Sequence, residues 1–381
     1  MIKPAEQTTK NCSLIYEDMF NFNQLTQIHL EITNRCQASC PMCNRNVHGG
    51  IENPLIRNQD WTLEDFKHIL SHEVLDQLSG FYFCGNFGDP IINNSLVDMC
   101  RYASEYKPSL NIAVHTNGSA RTTSWWQELA RALPKNHRVI FALDGLADTH
   151  SIYRIGTNYN AIIKNAQAFI SAGGKAEWCF IKFKHNEHQV EQARQLANEY
   201  GFTAFSVKNS SRFIGSPKYE VRNSLGQPIY FLEPPTDNKM KFIDNEVVKN
   251  YKAIVESSEI ECYVLQHKEI YIDAYKHVYP CCYLGSVPYT YVEDDGTQEV
   301  RQAIQRQHTE YIRDLGGIDS IDALRYSIKD IVGKPEWTTV WDKYWHTNKM
   351  ITCARSCGKI KEISKPYQQI ISTEKLHDTV K

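Results

Sequence analysis

The chain has 381 residues, of which 42% are hydrophobic, and carries 42 Lys and Arg against 44 Asp and Glu. That length predicts one large domain plus a smaller one, and the balanced charge gives no electrostatic ground for non-specific binding to nucleic acid or a membrane surface. No apolar run approaches the roughly 20 residues that span a bilayer, and Met1-Ile-Lys-Pro-Ala-Glu-Gln7 has no apolar leader core, so a cytoplasmic protein is expected.

Twelve cysteines in a reducing compartment are read as ligands or small buried side chains rather than as disulfides. Cys12, Cys84, Cys100 and Cys179 stand alone, and the rest form two sets, one near each end of the chain.

Taken in order, residues 1–24 show no periodicity and read as an N-terminal extension. From Gln27 strand and helix signals alternate. Strands are predicted at 27–33, 80–84, 110–115, 138–143, 176–183 and 203–208, from alternating apolar runs rich in β-branched and aromatic residues. Helices lie between them. Thr62 with Asp65, Ser95 with Asp98, and Ser124 with Gln127 are predicted N-caps, and Asn186 is predicted to cap a helix that ends at Gly201. Six strands separated by helices imply parallel pairing with right-handed crossovers. The fold class is therefore α/β, a partial (β/α)6 TIM-like barrel over 25–211, with chemistry at the carboxyl ends of its strands. Pro217, Pro228, Pro234 and Pro235 mark residues 212–258 as a connector. A small cysteine-rich α+β domain is expected over 259–360, and residues 361–381 read as a polar surface tail.

The stretch that organises the chain is Cys36-Gln-Ala-Ser-Cys40-Pro-Met-Cys43, on the loop leaving the first predicted strand. Three thiolates so close together favour iron or zinc, and an iron–sulfur cluster usually takes four cysteines. A cubane held by three would leave one iron open to a small molecule. A structural zinc loop completed by His48 or a distant cysteine is the alternative. After the second strand comes Cys84-Gly-Asn-Phe-Gly-Asp-Pro90, a βα turn whose glycines allow close backbone approach. The third strand ends in His115-Thr-Asn-Gly118 and the fourth in Ala142-Leu-Asp-Gly145. Arg154 follows in Asp148-Thr-His-Ser-Ile-Tyr-Arg-Ile-Gly156. The distal set is Cys262, the pair Cys281-Cys282, and Cys353-Ala-Arg-Ser-Cys357. Between its members, residues 269–273 and 277–281 alternate like a β-hairpin.

The spacing CxxxCxxC, the turn at Gly85–Pro90 and the Thr-Asn-Gly and Leu-Asp-Gly strand ends together resemble the radical S-adenosylmethionine (radical SAM) enzymes. The distal cysteines resemble their Twitch domain, a short form of SPASM. The resemblance covers residues 27–360. It implies that Cys36, Cys40 and Cys43 hold a catalytic [4Fe-4S] cluster whose open iron chelates S-adenosylmethionine, and that reductive cleavage gives a 5′-deoxyadenosyl radical. It places Gly85, Gly88 and Asp89 at the methionine end of that cofactor, with Asp89 where the family usually has glutamate. It places Asp144 near the ribose or substrate, Thr116 and Asn117 among the cofactor-binding residues, and Met42 where an aromatic residue commonly packs on the adenine; Arg154 matches the family's arginine and either holds a carboxylate or lies on a helix surface. Phe183-Lys-His-Asn-Glu187 resembles a segment near the adenine. Ala142 replaces the usual serine, so that contact is absent. Cys262, Cys281, Cys353 and Cys357 are implied ligands of one auxiliary [4Fe-4S] cluster, with Cys282 spare and a four-cysteine zinc site as the alternative. The implied reaction begins with hydrogen-atom abstraction from a peptide or a small polar metabolite. The implied partner is a reductant such as flavodoxin or ferredoxin. A non-catalytic redox-sensing or scaffold protein, and a nucleic-acid-modifying radical enzyme, are the rival classes; the balanced charge argues against the second.

Overall fold

The computed structural model describes residues 21–210, 212–213, 217–237, 251–292, 298–359 and 370–376. Cys12, most of the expected N-terminal extension, and parts of the connector and tail lie outside them.

Among the described residues fifteen strands occur in chain order: β1 Gln27–Leu30, β2 Asn46–Val47, β3 Ile51–Glu52, β4 Gly80–Phe83, β5 Asn111–Thr116, β6 His137–Ala142, β7 Ala176–Lys182, β8 Ala204–Asn209, β9 Tyr219–Arg222, β10 Pro228–Leu232, β11 Glu259–Ile260, β12 Glu269–Ile272, β13 Val278–Tyr279, β14 Gly358–Lys359 and β15 Ile370–Lys375. All six predicted strands are present, as β1, β4, β5, β6, β7 and β8, and each pairs in parallel with the next. Helices α1 Leu63–Ile69, α2 His72–Gln77, α3 Leu96–Tyr106, α4 Thr123–Ala132, α5 His150–Tyr153, α6 Tyr159–Ser171 and α7 Val190–Glu199 fill the crossovers.

Period-two alternation sorts each strand's residues onto two faces. Ile28, Leu30, Phe81, Phe83, Ile112, Val114, Val139, Phe141, Trp178, Phe180, Phe205 and Val207 belong to the main hydrophobic core. They lie on the face that the helices cover. The opposite face carries His29, Glu31, Tyr82, Cys84, His115 and Lys208, with Ala113, Ile140 and Cys179 as a small separate apolar patch. The sheet thus encloses a polar interior, the partial TIM-like arrangement that the alternation predicts.

The sheet is larger than six strands, with the order β13-β12-β1-β4-β5-β6-β7-β8-β15. The predicted hairpin at 269–281 is present as β12 and β13, with Tyr271 opposite Tyr279. It does not stand apart: β12 pairs in parallel with β1, Gln27 opposite Glu269 and Leu30 opposite Ile272. At the other edge the tail contributes β15, antiparallel to β8. In sequence the tail reads as polar surface, although Ile370, Ile371 and Thr373 are strand formers. The connector also holds a hairpin, β9 with β10, that the sequence reading missed.

The caps divide. Thr62 forms the predicted capping box with Asp65. Ser95 precedes α3 without capping it through its side chain. The cap of α4 is Thr122, whose hydroxyl accepts from the Trp125 N–H at 3.3 Å, and not Ser124, which lies inside the first turn. Asn186 uses its amide locally, accepting from Phe183 N–H and donating to the Ile181 carbonyl, and a short 3-10 turn separates it from α7. Gly201 lies beyond the end of that helix with φ +84°, a conformation glycine adopts without Cβ strain.

Candidate active site

The Cys36–Cys43 loop leaves the carboxyl end of β1 and is clamped from several sides. Ser39 N–H donates to the Ile155 carbonyl at 2.8 Å, and Asn46 N–H to the Cys43 carbonyl at 2.9 Å. The Tyr219 hydroxyl reaches the Pro41 carbonyl at 3.0 Å, and Arg212 donates to the Met42 carbonyl. The β9–β10 hairpin is therefore a cover over the cysteine loop.

Sulfur is a weak acceptor, and here N–H groups are aimed at it. Cys36 Sγ faces the Ala38 N–H at 3.4 Å and Asn117 Nδ2 at 3.6 Å. Cys40 Sγ faces Arg154 Nη1 at 3.8 Å. Arg154 is fixed in turn by Asp144, Nε to Oδ2 at 2.5 Å, and the other oxygen of Asp144 accepts from the Ile181 N–H at 2.6 Å. Asp144 is fully buried; burial raises its carboxyl, and Arg154 opposes that shift. Burial opposes the charge on Arg154, yet Asp144 and Cys40 hold its pKa well above the ordinary value. Burial pushes the Cys40 thiol up to about 11, with Arg154 pulling the other way, and pushes Cys36 up as well, with Asp89 adding to it.

Asp89 is buried and already engaged. Its carboxylate accepts from the Thr116 hydroxyl at 2.8 Å, the Asn117 N–H at 2.7 Å and the Ile91 N–H at 3.2 Å. It ties the β4 turn to the end of β5, and so positions the Asn117 amide at Cys36. Burial raises its pKa against those hydrogen bonds. The turn leaves no room for side chains at its glycines: a Cβ on Gly88 would lie 1.9 Å from the Thr33 carbonyl oxygen, and one on Gly85 2.1 Å from that of Gly88. Met42 is buried in an apolar cluster with Ala38, Tyr153 and Phe213, and its sulfur accepts from the Ser210 hydroxyl. The structure thus brings Asp89, Thr116 and Asn117 together at Cys36, and Asp144 and Arg154 together at Cys40. In the segment from 183 to 187, Asn186 and Glu187 serve as local braces, Glu187 accepting from Thr236.

Glu31 was missed by sequence reading. It is 2% exposed and accepts from the Phe87 N–H at 2.8 Å, the Gly88 N–H at 3.0 Å and the Tyr271 hydroxyl. Burial lifts its pKa to about 7 despite those donors. The signal was a polar residue in an alternating strand, and that pattern also fits a solvent-facing position.

The distal cysteines converge from separate places. Cys353 and Cys357 lie one turn apart on the Ile351–Cys357 helix, the spacing that puts both on one face. The Cys262 thiol hydrogen-bonds Cys357, which lowers Cys357 below an ordinary thiol, and Cys281 and Cys353 are the other sulfur neighbours of Cys262. Beside them β11 pairs with β14, and Glu261 N–H donates to the Cys357 carbonyl at 2.9 Å. The adjacent pair divides its work. Cys281 feels Cys282 and Cys357, while the titratable neighbours of Cys282 are Cys84, Glu269 and Glu31. Among the described residues no three His, Cys, Asp or Glu side chains stand in a preformed metal-ion site. Both sets fit iron–sulfur clusters by donor chemistry: soft thiols, grouped, with N–H donors on two sulfurs of the loop set.

No protein-family model and no curated protein matches the chain. Solved structures do. A tagged form of anSMEcpe with bound AdoMet aligns at TM-score 0.50 and 13% identity, over 90% of this chain and 91% of that one. Streptococcus suis SuiB bound to S-adenosylmethionine aligns at TM-score 0.47 and 15% identity, over 73% of this chain and 68% of that one. BtrN in complex with AdoMet and 2-DOIA aligns at TM-score 0.42 and 14% identity, over 91% and 98%. These neighbours are radical SAM enzymes. On the first alignment, this chain is similar in fold to the radical SAM enzymes.

Proposed function

We propose that the protein is a radical SAM enzyme. The observation that carries the reading is the meeting of Cys36 and Cys40 with Asn117 and Arg154 at the mouth of a parallel partial barrel. Cys36, Cys40 and Cys43 would hold a [4Fe-4S] cluster, which would supply the electron for reductive cleavage of S-adenosylmethionine and so the means of abstracting a hydrogen atom from substrate. The chain's own part is orientation. Asn117 and Arg154 direct N–H groups at the sulfurs, which stabilises thiolate ligation. Asp89 fixes the end of β5, Asp144 fixes Arg154, and Gly85 and Gly88 let the turn close on Thr33. Glu31 locks that turn from below.

We read residues 259–360 as a Twitch domain in which Cys262, Cys281, Cys353 and Cys357 hold an auxiliary [4Fe-4S] cluster. Cys281, Cys353 and Cys357 are the sulfur neighbours of Cys262, and Cys282 is not among them, which supports this choice. The substrate is a peptide or a small polar metabolite, entering where the polar face of the sheet opens, and the electron donor is a flavodoxin or ferredoxin.

The test is anaerobic reconstitution followed by reduction. About eight irons per chain are expected from two cubanes, with 5′-deoxyadenosine formed from S-adenosylmethionine. Cys40→Ala should abolish that product and keep about half of the iron. Stoichiometric zinc without iron uptake, or undiminished cleavage in Cys40→Ala, would refute the reading.

A further inference from the structure

The polar interior of the barrel carries a charge imbalance. Each carboxylate near its mouth already has donors. Glu31 has two backbone N–H groups and the Tyr271 hydroxyl. Glu269 accepts from the Tyr82 hydroxyl at 2.8 Å. Asp144 has Arg154 and the Ile181 N–H, and Asp89 has Thr116 and Asn117. Lys208, near the carboxyl end of β8 and opposite Ile181 in the β7 register, is a cation left over. Among the described residues no carboxylate lies within ion-pair distance of it.

Its side chain lies on the polar face, because it alternates with the core residue Val207, and groups from four other parts of the barrel feel its charge. These are Cys84 after β4, His115 on β5, Asp144 after β6 and Cys179 on β7, whose sulfur it also hydrogen-bonds. Glu177, nearer the amino end of β7, feels Arg138 before Lys208. His115 adds a second unoccupied polar group. It is half-buried, has no hydrogen-bond partner among the described residues, and is kept neutral by burial and by the cations around it. Lys208 is part-exposed, and an ammonium with no carboxylate within ion-pair distance is open to pairing with an entering oxyanion.

We infer that the barrel interior is an oxyanion-binding pocket in which the Lys208 ammonium anchors a carboxylate or phosphate of the substrate, with His115 on the same polar face. That the anion belongs to a substrate rests on the proposed radical function, but the binding site stands on its own residues. An anchored anion would hold the rest of the molecule toward the Cys36–Cys43 loop, which is what hydrogen abstraction from one chosen carbon requires.

The experiment uses the full chain with inorganic phosphate and succinate as probes. Lys208 acetylation by an amine-reactive ester is followed by peptide mass mapping, alongside thermal unfolding. At saturation in the millimolar range, one or both probes should slow acetylation of Lys208 at least tenfold and raise the unfolding midpoint. Protection by phosphate alone assigns a phosphoryl substrate, and by succinate alone a carboxylate. The midpoint shift should vanish in Lys208→Met and persist in Lys208→Arg. No saturable protection by either probe, or a shift that survives in Lys208→Met, overturns the inference. Cleavage of S-adenosylmethionine by the wild-type protein is measured separately. Its absence refutes the radical reading, while protection of Lys208 decides the pocket in either case.

Discussion

The two cysteine sets are built in opposite ways. Cys36, Cys40 and Cys43 come from one loop of eight residues, so local chain geometry alone brings them near each other, and the barrel then aims Asn117 and Arg154 at two of the sulfurs. Cys262, Cys281, Cys353 and Cys357 come from separate segments, and the whole smaller region must fold before they meet. Its local braces are modest: a two-residue β11–β14 ladder and the Cys262–Cys357 contact. A local set can form early and depends little on distant packing. A dispersed set makes any metal it binds a cross-link, because ligation then closes a loop of about ninety residues whose entropy grows only slowly with length.

The sharpest way to break this contrast is the double variant Cys353→Ala, Cys357→Ala. If the dispersed set is a cross-link, reconstituted wild type should exceed the variant in stability by about 5 kcal/mol, the scale for closing a loop of about a hundred residues. Denaturant unfolding measures it. The loop set should keep about half of the iron and still give 5′-deoxyadenosine, uncoupled from product. Equal stability in the two proteins would show that the distal cysteines bind nothing that ties the chain together.

A smaller effect tests the loop set from its buried ion pair. Arg154→Gln leaves the Asp144 carboxylate buried without its cation, a change that costs about 3–5 kcal/mol. Pairing it with Asp144→Asn removes the stranded charge, so the double variant should recover much of the loss. If Arg154→Gln unfolds at the wild-type midpoint, the pair is not the brace the geometry suggests. The distal set should be indifferent to both changes, because no member of this pair touches it.

The barrel was legible because its outward residues obey a simple pattern: apolar at every second position, with caps and glycines between runs. The first cysteine set was legible for the same local reason. What escaped was what depends on partners far along the chain. Glu31 and His29 looked like solvent-facing positions of a half-buried strand, whereas closure of the sheet turns them inward, where Tyr271, Tyr82 and the 87–88 backbone receive them. The strand β12 was foreseen as half of a hairpin, but its place beside β1 rests on a pairing some 240 residues apart in sequence. Residues 370–375 join the sheet through backbone hydrogen bonds that composition does not reveal. The choice of Cys281 over Cys282 came from the resemblance to the Twitch domain, because spacing alone does not separate two adjacent cysteines.

The smallest effect compares one histidine from each region. His29 on β1 and His308 on the helix Gln298–Asp314 are both 5% exposed, and burial lowers each from 6.5 to about 4, against one backbone hydrogen bond apiece, to Cys84 and to Leu284. Each is neutral when folded and takes up a proton when unfolded, so stability is complete above pH 6.5 and falls as pH drops toward 4. The loss reaches about 3 kcal/mol per histidine at most. The two sites differ in their neighbours. Glu31, two residues from His29, has its pKa raised to about 7, so its contribution has the opposite sign: it favours the folded state as pH falls from 7 toward 4.5. Unfolding free energies of wild type, His29→Gln and His308→Gln, measured from about pH 7.5 to 4.5, separate the terms. Relative to its variant, wild type should lose stability on acidification at both sites. Adding Glu31→Gln should steepen the acid dependence of the His29 background and leave the slope at His308 unchanged. A pH-independent difference between wild type and His308→Gln would mean that His308 is not held neutral by the packing beside the distal cysteines.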